Sequence, residues 1–294
     1  MMSALGDGVT LFLGIVIEAF PFLLLGSLVS TLIHLFVKTE TLLKYLPTNK
    51  LGACAGVSLI GMFFPVCECG NVPVARKLLE KKLPAGASLS FLLGAPILNP
   101  IVIITTIVAF PDSPEIWWGR ILLGFFIAVV VGYLFSFASE EEIINRHFFK
   151  KSCGHSHASK PRWNTALDNT ISEFVSMASV MIVGAFVAAS MQTFFPREII
   201  TAIAETPLLS ILAMMGLGFV ISICSTTDAF FALAYAHQFS TASLVAFLVF
   251  GPMIDIKALL LMRTAYTTKT LIYLTFVVGL LVLVSTYAFD ILIW

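Results

Sequence analysis

Hydrophobic positions in this chain run in long blocks with few polar interruptions, and each block predicts a membrane-length helix. The first covers residues 9–37, a length that spans a hydrocarbon core of about 30 Å at about 1.5 Å per residue. A second block, residues 51–82, is broken in its middle by Cys67-Glu68-Cys69-Gly70-Asn71, after which Pro73 reads as a new helix start. Leu83-Pro84-Ala85-Gly86 is a short turn. The return block runs to Phe110 and is itself interrupted at Gly94, Pro96 and the pair Asn99-Pro100. Cys69 and Asn99 each lie 15 residues from Pro84, so the two breaks are expected at one depth, facing each other. A fourth block covers residues 117–137, with Trp117 and Trp118 as interfacial anchors.

Residues 138–170 change character. Glu140, Glu141, Glu142, Arg146, Lys150, Lys151, Lys160 and Arg162 place this central stretch in water, near the midpoint of the chain. The apolar pattern then restarts: residues 171–195, a block from about 208, a return to about 261, and a last block from 271. The second half repeats motifs of the first. Phe91 to Asn99 (FLLGAPILN) matches Phe247 to Asp255 (FLVFGPMID) at a spacing of 156, and Cys67 to Asn71 matches Cys224-Ser225-Thr226-Thr227-Asp228 at 157. Two motifs in order at nearly one spacing make a repeat.

The expected fold is therefore an all-α integral membrane protein of about eight transmembrane helices, two four-helix repeats that each contain a hairpin of interrupted helices. Its units are residues 1–137, a polar central loop at 138–170, and residues 171–294. An even number of spans per repeat predicts halves lying parallel, with both termini and the central loop on the cytoplasmic side. Lys and Arg divide almost evenly between the two sides, so charge hardly sets the orientation.

Composition sharpens this picture. Hydrophobic residues make up 59% and charged residues 12%, where a soluble domain carries about 25% charged residues. The formal net charge is zero and no basic tract is interleaved with aromatics, which argues against nucleic-acid binding. The five cysteines do not form a secreted disulfide framework. The first block lacks a signal peptide's basic n-region and cleavage site and reads as the first span.

The chemistry gathers at the breaks. Unpaired backbone at membrane depth is tolerated only where it lines a protein-enclosed cavity, the expected mark of a transporter's binding site. Cys67 and Cys69 point about 200° apart on a regular helix and meet one ligand only where the helix unwinds. Two sulfurs and Glu68 suit a thiophilic solute or soft metal ion, while the half-helix N-terminus after Asn71 favours an anion; each cysteine also reads as a small buried apolar residue. Asn99 is a helix cap before Pro100. Asp255 takes its place in the second half with Lys257 nearby, and Asp228 adds an acid to the opposite break; these acids read either as caps or as pathway groups. Glu18, inside the first span, costs roughly 2.5 to 3.5 kcal/mol near a bilayer centre and should face the interior. Arg76, Lys77, Glu80, Lys81 and Lys82 read as the exposed end of a half-helix. In the central loop Cys153, His155 and His157 are metal-ligating types at short spacing without a clear fourth ligand.

At these motifs the chain resembles a bacterial predicted-permease family that includes the YraQ-like proteins and the ArsP organoarsenical efflux permeases. CECGNVPVARKLL, FLLGAPILNP, CSTTDAFFA and FLVFGPMIDIK carry the resemblance. It implies an eight-span inner-membrane permease, with the handling of trivalent organoarsenicals mapping onto Cys67, Cys69 and Cys224. Glu68 stands where such proteins often carry serine. Some members look like one half of a two-component permease, which implies a second membrane permease subunit as partner.

The leading expectation is a permease that moves a small solute, such as a thiophilic metalloid or metal species, by alternating access. No cofactor is expected, and no GxxxxGK[ST] nucleotide loop is present. The alternatives are a membrane-embedded thiol oxidoreductase using Cys67 and Cys69, and a non-conducting subunit of a larger complex.

Overall fold

The computed structural model describes residues 2–36, 47–63, 67–145, 162–194 and 206–293. Those residues form thirteen α-helices and no β-strand beyond one isolated bridge between Ile144 and Tyr266. They are α1 (Met2–Phe36), α2 (Lys50–Gly61), α3 (Glu68–Glu80), α4 (Ala85–Leu98), α5 (Pro100–Ala109), α6 (Pro114–Phe135) and α7 (Glu140–Ile143). The second half has α8 (Arg162–Phe194), α9 (Pro207–Ile221), α10 (Asp228–Leu233), α11 (Thr241–Met253), α12 (Ile256–Met262) and α13 (Thr268–Ile293).

Among the described residues six helical stretches are long and apolar enough to cross a membrane: Gly8–Ile33, Ala85–Ala109, Pro114–Phe135, Thr170–Gln192, Thr241–Met262 and Thr268–Leu292. Burial ranks them. The apolar stretch of Thr241–Met262 is 89% buried and that of Ala85–Ala109 61%, against 17% for Gly8–Ile33. The two helices interrupted by caps thus form the centre, and the uninterrupted ones the wall.

The second block does not run through. Ser90 Oγ donates to the Cys54 carbonyl, Ser58 Oγ to the Ser90 carbonyl, and Gly61 lies against Ala95, so α2 and α4 run in the same direction. α3 joins α4 through a short turn and lies antiparallel to it, with Ser88 Oγ donating to the Ala75 carbonyl. α2 and α3 are therefore a re-entrant hairpin: α3 returns to the end at which α2 begins. α9 and α10 do the same. Ser210 and Ser243 share a hydroxyl hydrogen bond and Gly218 packs on Gly251, which makes α9 parallel to α11, while α10 leads back to the start of α11.

The reversals change two expectations. Residues 51–82 were expected as one broken crossing, yet only three long apolar helices run through in each half. That odd number turns the second half over. α1 and α8 lie antiparallel, with Thr31 on Thr170 and Phe12 on Phe186. The α2–α3 hairpin opens at the end marked by Ser136 and α7, whereas the α9–α10 hairpin opens at the end where α1 begins and α13 finishes. Halves lying parallel, and termini sharing a side with the central loop, do not fit this course.

Close approach relies on small residues, as in membrane helix pairs generally. A Cβ at Gly26 of α1 would collide with the backbone of Gly70 in α3, and one at Gly86 with the Gly132 carbonyl of α6. Each returning helix also crosses to the other half: α3 packs on α12, and α10 on α5.

Cysteine-accessibility labelling tests the reversal. Lys50→Cys and Lys81→Cys are expected to react from one membrane face, and Asp112→Cys and Gln238→Cys from the other. A through-crossing over residues 51–82 would put Lys50 and Lys81 on opposite faces.

Candidate functional site

The interruptions of the two long central helices are each held by a side-chain cap. Asn99 ends α4 and caps α5, its Oδ1 accepting from the Ile101 N–H at 2.9 Å. Asp255 caps α12 in the same way, its Oδ1 accepting from the Ala258 N–H. Ser222 ends α9 in the left-handed region at φ 50°, a conformation that costs a non-glycine residue about 1 kcal/mol or more. Its Oγ accepts from the Ile256 N–H at 3.2 Å, which ties the second re-entrant break to the start of α12. At the first break Cys67 is extended, with φ −75° and ψ 177°, and α3 begins at Glu68. A carboxylate in a first helical turn is favoured by the helix dipole.

The breaks of the two halves meet. Glu68 Oε2 accepts from the Ser225 hydroxyl at 3.4 Å and from the Cys224 thiol at 3.8 Å. Lys257, in the first turn of α12, places its Nζ 3.6 Å from Glu68 Oε1 and 3.9 Å from Asp255 Oδ2. The sulfurs of Cys67 and Cys69 and a carboxylate oxygen of Glu68 all lie within 4.8 Å of one another. The Cys67 thiol also reaches that of Cys224. This buried knot holds three thiols, two carboxyls and an ammonium, drawn from both re-entrant segments and from the start of α12.

A second ion pair adjoins the knot. Arg120 of α6 grips Asp228 at both oxygens, at 2.9 Å and 2.6 Å. It also donates to Thr106 Oγ1 at 2.9 Å and to the Ser225 carbonyl at 3.4 Å. Ser225 therefore links the two groups: its carbonyl is held by Arg120 and its hydroxyl by Glu68.

The structure thus brings together Cys67, Glu68, Cys69, Cys224, Asp255 and Lys257, and attaches Asp228 through Ser225. Asn71 is fully buried one turn behind Glu68, and Asn99 serves as a cap. Glu18 does not join the interior knot. It is only half-buried, and accepts from the hydroxyl of the exposed Thr227 at 3.0 Å, on the outer flank of the second break. Arg76, expected at an exposed helix end, is buried because α1 and α4 cover α3. Cys153, His155 and His157 lie outside the described residues.

Residues 4–291 match the profile of the ArsP_1 family, described as predicted permeases. The chain belongs to this permease family. Two relatives agree. The permease is 40% identical over 263 residues to a Streptococcus mutans protein named as a putative two-component membrane permease complex subunit, covering 88% of this chain and 87% of that one. It is 37% identical over 281 residues to the UPF0718 protein YcgR of Bacillus subtilis, covering 94% and 95%. No solved structure matches it. Family and apolar helices together make it a multi-pass permease of the cell membrane, and membership points to a transporter rather than an enzyme.

Sequence reading singled out neither Arg120 nor Ser225 of this permease. Arg120 carried a signal, a lone charge inside an apolar span.

Both partners of the Arg120–Asp228 pair are at most 3% exposed, so removing one strands a buried charge at a cost of about 3 to 5 kcal/mol. Thermal unfolding in detergent should show Arg120→Met and Asp228→Leu each strongly destabilised, and the double variant less so than either. Additive losses would mean that the two side chains are not coupled.

Proposed function

We propose that this protein is a secondary permease that carries a small thiophilic metal or metalloid species through the knot of Cys67, Glu68, Cys69, Cys224, Asp255 and Lys257. The observation that supports it best is the contact of Glu68 with Cys224 and Ser225, because it joins the breaks of two hairpins that open at opposite ends of the bundle. Soft sulfur ligands favour soft ions and metalloids. Interrupted helices supply polar backbone where a passing solute needs partners.

On this reading residues 1–137 and 171–294 are inverted repeats, related by a two-fold axis in the membrane plane. Each consists of three crossings and one re-entrant hairpin. Alternating access is then a rocking of the halves about the knot, each hairpin closing the path to its own side in turn. Asn71, Asn99 and Asp228 shape the backbone around the solute, and Glu18 lies on the flank of the second hairpin. The name of the Streptococcus mutans relative motivates a second membrane permease subunit as partner.

Flux into proteoliposomes tests this reading, with cadmium and phenylarsine oxide as probes. Cys67→Ser, Cys69→Ser and Cys224→Ser are each expected to lower the flux of at least one probe tenfold or more, with insertion and unfolding temperature unchanged. Thiol-dependent turnover without flux would favour the oxidoreductase reading. Flux indifferent to all three substitutions would move the pathway elsewhere.

A further inference from the structure

The charges of the knot do not balance, and the imbalance bears on the solute. Arg120 and Asp228 close on each other through two hydrogen bonds, so each neutralises the other. Glu68 and Asp255 are left with Lys257 alone, and all three side chains are at most 3% exposed. Two carboxyls share one ammonium.

The sharing is loose. A charge-assisted N–H···O bond is about 2.7 to 2.9 Å long, whereas Lys257 Nζ stands 3.6 Å and 3.9 Å from its two partners. The oxygens that face it, Glu68 Oε1 and Asp255 Oδ2, accept no hydrogen bond among the described residues. Side chains stranded in this way are costly in a buried setting. The ammonium occupies the place between two carboxyls that a bound cation would take, without closing on either, and the sulfurs of Cys67 and Cys69 stand beside Glu68.

From this arrangement we propose that the central site takes its solute as a soft cation contributing one net positive charge, and that Lys257 is a tethered counter-ion which the solute displaces from between Glu68 and Asp255. The inference rests on the permease reading above and narrows its solute class. A neutral hydroxide of a metalloid leaves the excess carboxyl unbalanced, and an anion adds to the repulsion. A singly charged soft cation brings Glu68, Asp255 and Lys257 to neutrality, bonding to a thiol of the knot whose proton passes to the adjacent Glu68 carboxylate. When the solute leaves, Lys257 swings back and holds the empty site together. Lys257 is therefore a positioning and specificity-determining residue, and it opposes binding.

The test uses full-length protein carrying Cys54→Ser and Cys153→Ser, so that only the thiols of the knot remain. Calorimetric titration with silver ion and, separately, with the uncharged phenylarsine oxide is compared across variants. Lys257→Gln should tighten silver binding about tenfold or more, because the like charge that competes for the two carboxyls is removed, and leave phenylarsine oxide within twofold. In proteoliposomes the same variant should lower both KM and maximal rate for silver, since release slows. Glu68→Gln should weaken silver binding, and Glu68→Gln combined with Lys257→Gln, which restores the original charge balance, should return it towards the parent value. The proposal is overturned if Lys257→Gln leaves silver affinity unchanged or weakens it, or if both probes shift alike. A Cys67→Ser, Cys69→Ser, Cys224→Ser variant that still binds and transports both probes like its parent would instead overturn the underlying reading that the pathway runs through the knot.

Discussion

Backbone amides and carbonyls that lose their helical partners inside a hydrocarbon layer must find others within the protein. That requirement governs this structure. At four interruptions the helical ladder stops, and replacement partners are visible at three: Asn99 caps α5, Asp255 and Ser222 both serve the start of α12, and Arg120 donates to the Ser225 carbonyl at the second re-entrant break. Such partners must be enclosed to work. The two helices interrupted by caps, α4–α5 and α11–α12, are accordingly the most deeply buried of the long stretches, and the unbroken ones carry the lipid-facing surface.

Enclosure also dictates the packing. A re-entrant hairpin brings two helices and a turn into space that a single crossing would occupy, so its neighbours must come close. Gly26 against Gly70, Gly61 against Ala95 and Gly94 against Ser58 are contacts at which a larger residue would hold the backbones apart. α3 leans on α12 and α10 on α5, so each hairpin is packed against the other half. The same crossing contacts bring Glu68 to Cys224, which makes the chemistry of the centre a consequence of the fold's topology.

Much of this was legible in the residues. Cys-Glu-Cys-Gly-Asn, Asn-Pro, and the spaced copies ending in Asp228 and Asp255 mark interruptions because Gly, Pro and Asn carry known backbone preferences; those at Asn99, Asp255 and Cys224 to Thr227 lie where expected, whereas α3 already begins at Glu68 with Pro73 inside it, and α4 runs unbroken through Gly94 and Pro96. Chain direction was not legible. A stretch of 32 residues is long enough to cross once or to enter and return, and hydropathy is the same for both courses; the reversal shows only in parallel contacts such as Ser58 with Ser90. Eight expected crossings became six long apolar helices for that reason. Arg120 is a lone charge in an apolar span, and its partner Asp228 lies 108 residues away, a pairing that no local pattern shows. Glu18 illustrates the opposite error: cost alone assigned it to the interior, whereas a single hydroxyl at the flank, that of Thr227, is where it lies.

The central claim is that the first re-entrant break touches the second, and the most direct measurement is oxidative cross-linking between them. In protein with Cys54, Cys69 and Cys153 replaced by serine, mild copper-catalysed oxidation followed by digestion and mass spectrometry should yield a disulfide-linked pair of peptides containing Cys67 and Cys224. Recovery of both peptides only as separate, individually alkylated thiols would contradict the meeting of the two breaks.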